Sequence, residues 1–502
     1  MIEGKPLTLF NSLTRSAEHF EPVHPGEARV YSCGPTVYNY PHIGNMRAYV
    51  FADVLGRALS FKGFRLTHVI NITDVGHLTD DADAGEDKLE KAAAAQSQSI
   101  WDIAKHYTEA YWADIRALNI RQPAEWSVAT DYIEPMLEFA KAIAPEHCYE
   151  LDSGLYFDVS TVADYGRLAR AVTDEGEGRI EEVEGKRHPA DFAIWRKTPA
   201  GETRQMEWDS PWGRGAPGWH LECSVMSGKL LGFPFDIHTG GIDHREIHHP
   251  NEIAQNQAFC HTGSLDEADH SGAKLWMHNN FLVERSGKMS KSSGEFLRLQ
   301  LLIDKGYHPL AYRMMCLQAH YRSELEFSWD GLGAALTRLK RLVMAAEAAR
   351  ARHAQGGHEP VVEPEGGWNF AWLHDHLGGT LRPLVIRFDD AISDDLNTAV
   401  ALTVLEDLLS LKKMPSGEVL AAMAAMDAVL GLGLASLTRA ELRLRPKDAQ
   451  VSEAEIDAAL VRRKEARAAR DFATSDAIRD EMAAKGVDMM DGDPLGWEWR
   501  LG

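Results

Sequence analysis

Two short stretches of this chain carry groups suited to gripping a nucleoside triphosphate. Pro41-His42-Ile43-Gly44-Asn45 offers an imidazole, a primary amide and a glycine that lets backbone approach a phosphate closely. Lys288-Met289-Ser290-Lys291-Ser292 offers two ammonium groups on a small, hydroxyl-bearing loop able to swing over a departing pyrophosphate. His42 and Asn45 are therefore candidates for phosphate contact, and Lys288 and Lys291 for stabilising charge on the leaving group. Asp243, just after Gly240-Gly241, is a candidate for holding the ribose. A third set suits a metal: Cys33, then Cys223, then His248-His249-Pro250-Asn251-Glu252. Two thiolates, an imidazole and a carboxylate match the ligand preferences of Zn²⁺. If Pro250 opens a helix, His248 and Glu252 lie one turn apart on one face. His249, at i, i+3 from Glu252, is a poorer alternative.

These groups need elements that bring them together. Ala28-Arg29-Val30-Tyr31-Ser32-Cys33 reads as a strand, and Asn45 to Phe61 carries Val50, Phe51, Val54, Leu55 and Leu59 at helical spacing. Phe64 to Ile70 reads as a second, buried strand. A strand, a crossover helix and another strand make a parallel unit, with residues 41–45 at the helix N-terminus beside the strand ends. Residues from about 100 to 220 read as an insertion. After it come two more strand-like runs, Phe235-Asp236-Ile237-His238 and Leu275-Trp276-Met277-His278. Past about 296 the pattern turns helical, with a Gly/Pro/Glu-rich stretch at 355–367 and a linker at 441–450.

The expected fold class is α/β: a doubly wound Rossmann-type domain over 1–325, a helical domain over 326–440 and a small C-terminal module over 450–502. In that module Arg462, Arg463, Lys464, Arg467, Arg470 and Arg479 form the clearest basic cluster in the chain. Trp497 and Trp499 are expected to stack on nucleic-acid bases.

The 502 residues carry a formal net charge of −22, which excludes a protein that coats nucleic acid indiscriminately but leaves room for a specific RNA held by a local basic face. No apolar run approaches the roughly 20 residues that span a bilayer, and the opening residues lack a secretory pattern. Five scattered cysteines make no disulfide framework, so a reducing cytoplasm is expected. The expected state is a monomer, although no residue pattern fixes it.

In this order, Pro41–Asn45 and Lys288–Ser292 resemble the HIGH and KMSKS motifs of class I aminoacyl-tRNA synthetases. Within that class the chain resembles the cysteinyl-tRNA synthetases. Similar stretches include Tyr31–Tyr38, Asn71-Ile72-Thr73-Asp74, Pro217–Cys223, Trp276-Met277-His278-Asn279, Phe388–Ala391, Asp395–Thr398 and Glu465–Phe472. The resemblance spans nearly the whole length. It implies ATP-dependent activation of L-cysteine, transfer to tRNA(Cys), Mg²⁺ with ATP, and an anticodon-binding role for the helical C-terminal region. It places zinc on Cys33, Cys223, His248 and Glu252, and an amino-acid pocket around Thr73, Trp219 and His238. The chain departs from the family pattern at Asn45, where a second His is usual, at 75–87, and at 244–250. Two other readings share some of these features: a ligase joining cysteine to an amino-sugar, as in mycothiol synthesis, and a non-catalytic, zinc-stabilised RNA-binding protein. The long basic C-terminal region disfavours the first and the lysine-bearing loop the second.

Overall fold

The computed structural model describes residues 4–75, 99–169, 184–266, 271–284, 287–288, 297–493 and 495–501. Lys291, the rest of the 289–292 motif and most of the atypical 75–87 stretch lie outside the described residues. Lys288 is described as backbone.

A five-stranded parallel sheet forms the centre. In chain order its strands are β1 (Glu27–Ser32), β2 (Arg65–Ile72), β3 (Glu125–Val128), β4 (Phe235–Gly241) and β5 (Ala273–Asn279), arranged β5–β4–β1–β2–β3. The order reverses direction between β1 and β4. A crevice opens at such a switch point, beyond the carboxyl ends of the strands. Helix α1 (Ile43–Phe61) crosses from β1 to β2 and buries Val50, Val54, Leu55 and Leu59 against the sheet. Two further helices follow the same logic: α2 (Trp219–Leu231) precedes β4, and α3 (His248–Cys260) links β4 to β5.

One boundary differs from the sequence expectation. The segment between the two halves of the sheet starts after Val128, not near residue 100. Helix Ile100–Ala117 is the crossover to β3, which pairs with β2 through Val69–Glu125 to Ile72–Val128. β3 is a four-residue, half-exposed edge strand, so it has no apolar run to betray it. The inserted segment itself carries a four-stranded antiparallel sheet built from Cys148–Leu151, Gly154–Phe157, Phe192–Lys197 and Gly215–Pro217.

Downstream, β6 (Leu282–Glu284) pairs antiparallel with β7 (Gly287–Lys288) and parallel with β8 (Leu325–Glu326). Helix α4 (Pro309–Leu317) leads into a helical region whose long helix is Trp329–Gln355 and whose last helix is α5 (Ser416–Leu430). Helix α1 is bolted to this region by buried charge. Asp53 of α1 accepts from Arg57 Nε and Arg313 Nη2, both at 2.7 Å. Arg57 and Arg313 in turn donate to the Ala428 and Leu430 carbonyls at the end of α5, at 2.9 and 2.7 Å. Two guanidinium groups thereby cap the negative end of a helix dipole. Burial alone would raise the Asp53 carboxyl, but Arg57 and Arg313 outweigh it and hold it below the usual carboxylate range. A depressed folded value means stability present above the unfolded value of about 3.9 and lost as pH falls through the folded one. Asp53→Asn is expected to cost about 3–5 kcal/mol in denaturant unfolding at neutral pH, since it strands two buried cations. The deficit should shrink in acid, where wild-type Asp53 is itself protonated.

The C-terminal module packs its own core from helices α6 (Glu453–Ala468) and α7 (Phe472–Ala484) and the hairpin Val487–Met489 with Trp497–Trp499. Here the structure corrects the sequence reading: Trp497 and Trp499 are 1% and 2% exposed and pack edge to face, so neither ring offers a face to a base. Alternation within a three-residue strand is too short to distinguish core from surface. Much of the basic cluster is also neutralised locally. Arg463 is buried against Asp491, Arg467 pairs with the same carboxylate, and Arg462 and Arg479 meet acids of α7. Lys464 and Arg470 are exposed and form no ion pair among the described residues, and Phe472 beside them is 62% exposed.

Candidate active site and metal centre

A cleft of about 340 Å³ opens at the switch point. Cys33 and Gly34 after β1, Gly241 at the end of β4 with Ile242 to His244 beyond it, His42, Gly44 and Asn45 at the start of α1, and Trp219 of α2 all line it. His42 and Asn45 of the phosphate-gripping candidates, the ribose candidate Asp243 and the metal-ligand candidate Cys33 therefore share one cavity.

The start of α1 is built by the motif itself. His42 is the N-cap; its Nδ1 accepts from Asn45 N at 3.2 Å while Asn45 Oδ1 accepts from His42 N at 3.2 Å. This reciprocal pair is a capping box, in which the amide of Asn45 does what Glu or Gln does elsewhere. The departure at Asn45 thus leaves the helix start intact. A Cβ on Gly44 would sit 2.8 Å from the His42 ring, and one on Gly34 only 1.7 Å from the Asn71 carbonyl, so both positions need glycine for close approach. No acidic residue occupies the first turn, so the positive end of the helix dipole faces the cleft undiminished. Asp243 folds back over Gly241, where an added Cβ would lie 2.4 Å from its Oδ1.

Behind the cleft floor, one ligand atom each from Cys33, Cys223, His248 and Glu252 lies within 4.8 Å of the other three. Cys33 directly follows β1, Cys223 lies in α2, and His248 and Glu252 lie one turn apart at the start of α3, which opens at His248, two residues before Pro250. His248 Nε2 lies 2.9 Å from Glu252 Oε1, a buried ion pair. Glu252 Oε2 and His238 Nε2 are 2.8 Å apart, which orients the carboxylate. His220 Nδ1 and His248 Nδ1, at 2.9 Å, orient the ring. Two buried thiols, a ring nitrogen and a buried carboxylate converging on one point form a donor set for a cation, and the soft–hard mixture fits zinc. A second set of Cys33, His238, His249 and Glu252 meets the same distance limit. Its His249 Nε2 lies 3.4 Å from Cys33 Sγ but 3.9 Å from Glu252 Oε1, while its Nδ1 is 2.8 Å from His278 Nε2.

The electrostatics follow the crowding. The Cys223 thiol is pushed well above its usual value by its hydrogen bond to Cys33 and by burial, and the Cys33 thiol is raised chiefly by burial. Burial would lower His248, but Glu252 and Cys223 outweigh it and carry it up to about 10. Glu252, in spite of burial, is drawn down to about 2 by His238 and His248. His249 is held well below the usual imidazole value by burial and the surrounding histidines.

Of the three amino-acid-pocket candidates, Trp219 faces the cleft. Thr73 and His238 stand behind it: Thr73 Oγ1 donates to Glu222 Oε2 at 2.9 Å, and His238 stacks on Trp276 with centroids 4.5 Å apart. Glu222 is a residue the sequence reading passed over. It is fully buried, and burial raises its carboxyl well above the ordinary range. Its only sequence signal is its place next to Cys223.

A switch-point cleft, a capped helix end aimed at it and a following lysine strand define a class I synthetase catalytic domain. Residues 19–337 match the family model for the tRNA synthetase class I (C) catalytic domain. The fold is shared with a methionyl-tRNA synthetase of Mycobacterium tuberculosis, at TM-score 0.50 and 13% identity over 82% of this chain and 90% of that one. At closer range, the chain is 73% identical over 496 residues to a cysteine–tRNA ligase of Novosphingobium aromaticivorans, covering 99% of this chain and 97% of the relative. It is 54% identical to one of Zymomonas mobilis, covering 99% and 98%. The chain belongs to the cysteine–tRNA ligase family. Among the described residues no helix is long and apolar enough to cross a membrane.

Proposed function

We propose that the chain activates L-cysteine with ATP and transfers the cysteinyl group to the 3′ end of tRNA(Cys). The observation that carries this reading is the sharing of one cleft by a phosphate-binding helix end and a thiol-rich donor set, since Cys33 belongs to both. In the first step the cysteine carboxylate attacks the α-phosphorus of ATP, pyrophosphate leaves, and cysteinyl-adenylate forms. In the second, the terminal ribose hydroxyl of tRNA takes the cysteinyl group and AMP leaves.

Little covalent chemistry falls to the protein, so positioning and charge stabilisation dominate. His42, Asn45 and the positive end of α1 hold the phosphates, with Mg²⁺ accompanying ATP. Asp243 holds the ribose, and Lys288 and Lys291 stabilise the departing pyrophosphate. Cys33, Cys223, His248 and Glu252 would hold zinc, which when bound supplies a soft Lewis-acid site for the substrate thiolate. Trp219 forms the wall of the amino-acid pocket, while Thr73 and His238 shape it from behind by fixing Glu222 and Glu252.

The C-terminal module serves tRNA. With Trp497 and Trp499 buried, the exposed Phe472, Lys464 and Arg470 are the base-stacking and phosphate-contacting groups. Because the module packs a separate core, truncation near residue 445 should leave cysteine-dependent pyrophosphate exchange within about twofold while tRNA charging falls by on the order of 10² or more. Equal survival of both activities would show that the module is not what holds tRNA; cysteine-dependent exchange with no tRNA charging by the full chain would favour the amino-sugar ligase reading. Equal loss of both would mean the module is needed to fold the catalytic domain.

A further inference from the structure

The first turns of α1 are fastened to the rest of the active-site region through one unusual cation. Arg47, two residues beyond Asn45, is 3% exposed. Its Nη1 donates to the carbonyls of Asn280, at 2.9 Å, and Phe281; its Nη2 donates to those of His320, at 3.2 Å, and Ser323, at 2.5 Å. Among the described residues no carboxylate pairs with it. Taking a guanidinium out of water is unfavourable and lowers its proton affinity; four main-chain carbonyls in direct contact, with a smaller attraction from Glu324, offset the cost.

Where those carbonyls lie gives the arrangement its meaning. Asn280 and Phe281 line the cleft and run directly into β6, the partner of β7, which carries Lys288. His320 and Ser323 belong to the turn that leads into β8, the other neighbour of β6. One planar fork therefore grips both chain segments that enter this small sheet. The same part of α1 is tied further: Ile43 N donates to Leu297 O at 2.8 Å, and Tyr312 Oη donates to Ile43 O at 2.5 Å. The helix end that faces the phosphates and the strand bearing Lys288 come from distant parts of the chain, yet here they are cross-linked through a single side chain.

We propose that Arg47 is a positioning residue for adenylation, setting the β6–β7 pair against the phosphate-binding end of α1. This rests on the adenylation reading given above. Adenylation concentrates negative charge on the α-phosphoryl oxygens and the departing pyrophosphate, and the groups that meet that charge approach from α1 and from β7. A misplacement of about 1 Å between two such groups can cost about 10²-fold in rate. The amino-acid side of the cleft is built by β1, β4, α2 and α3, none of which Arg47 touches, so its effects should fall on one substrate and not the other.

The test is pyrophosphate exchange at saturating cysteine for the wild type, Arg47→Lys and Arg47→Met, with KM for each substrate and zinc content per chain. Arg47→Met is expected to lower kcat by about 10²-fold, with KM for cysteine within about twofold and zinc content unchanged. Arg47→Lys keeps the charge but cannot span four carbonyls, and should fall between, about tenfold down in kcat. If Arg47→Met fails to fold, Arg47→Lys with circular dichroism matching the wild type carries the test alone. Unchanged kcat in a folded variant would overturn the proposal, as would loss of kcat with an equal loss in cysteine KM or zinc, the mark of general loosening. Absence of exchange in the wild type would overturn the adenylation reading itself, whatever the variants do.

Discussion

Cys223→Ser is expected to remove the preference for cysteine while sparing most of the fold. The side chain sits in the middle of α2, fully buried, facing Cys33 and the first turn of α3. Exchanging sulfur for oxygen keeps the shape but turns a soft ligand into a hard and far more basic one, which weakens zinc binding. Cysteine and serine differ by one atom, and discrimination by size alone yields only about 10–200-fold. A site that recognises the thiol chemically reaches about 10⁴ or more, as sites with unpaired buried groups do against the wrong substrate. In the variant, zinc content should fall well below one per chain and the cysteine-to-serine ratio of kcat/KM in pyrophosphate exchange should collapse into the size-only range. A variant with no zinc and undiminished selectivity would show that the four donors brace the fold and nothing more.

The second large effect concerns the lysine loop. Lys291→Ala is expected to lower kcat for adenylation by on the order of 10²–10³, with a smaller change in KM for ATP. An ammonium group that meets the pyrophosphate mainly as it departs acts on the transition state more than on bound ATP, so the loss belongs in kcat. Single-turnover formation of cysteinyl-adenylate separates this from slow product release. An unchanged kcat would reduce the loop to a solvated turn and leave charge stabilisation to Mg²⁺ and the end of α1.

Much of the site could be read from residue types because parallel strand–helix units do the gathering. Cys33 follows β1, Gly241 ends β4, and His42, Trp219 and His248 begin helices, so the topology delivers all of them to one edge of the sheet. The helix at 43–61 could be foreseen from its apolar spacing, and Pro250 correctly marked the first turn of α3. What escaped has a common physical origin in partners that leave no sequence trace. Arg47 binds carbonyls, which every residue carries, so no pattern pairs it with Asn280 or Ser323. β3 is short and half-exposed. Trp497 and Trp499 look like stacking platforms until the helices that cover them are in place. The positions of Thr73 and His238 depend on which acid each one holds, and that is set by packing between elements far apart in the chain.

The central claim is that this cleft joins cysteine, and no other amino acid, to AMP. Amino-acid-dependent exchange of labelled pyrophosphate into ATP, run with each of the twenty amino acids on the full zinc-loaded chain, tests it in one measurement. Cysteine should drive exchange at least about 10³-fold faster than serine, alanine or methionine at equal concentration, a margin beyond what size alone supplies. Exchange driven equally by serine or by methionine, or none with cysteine, would contradict it.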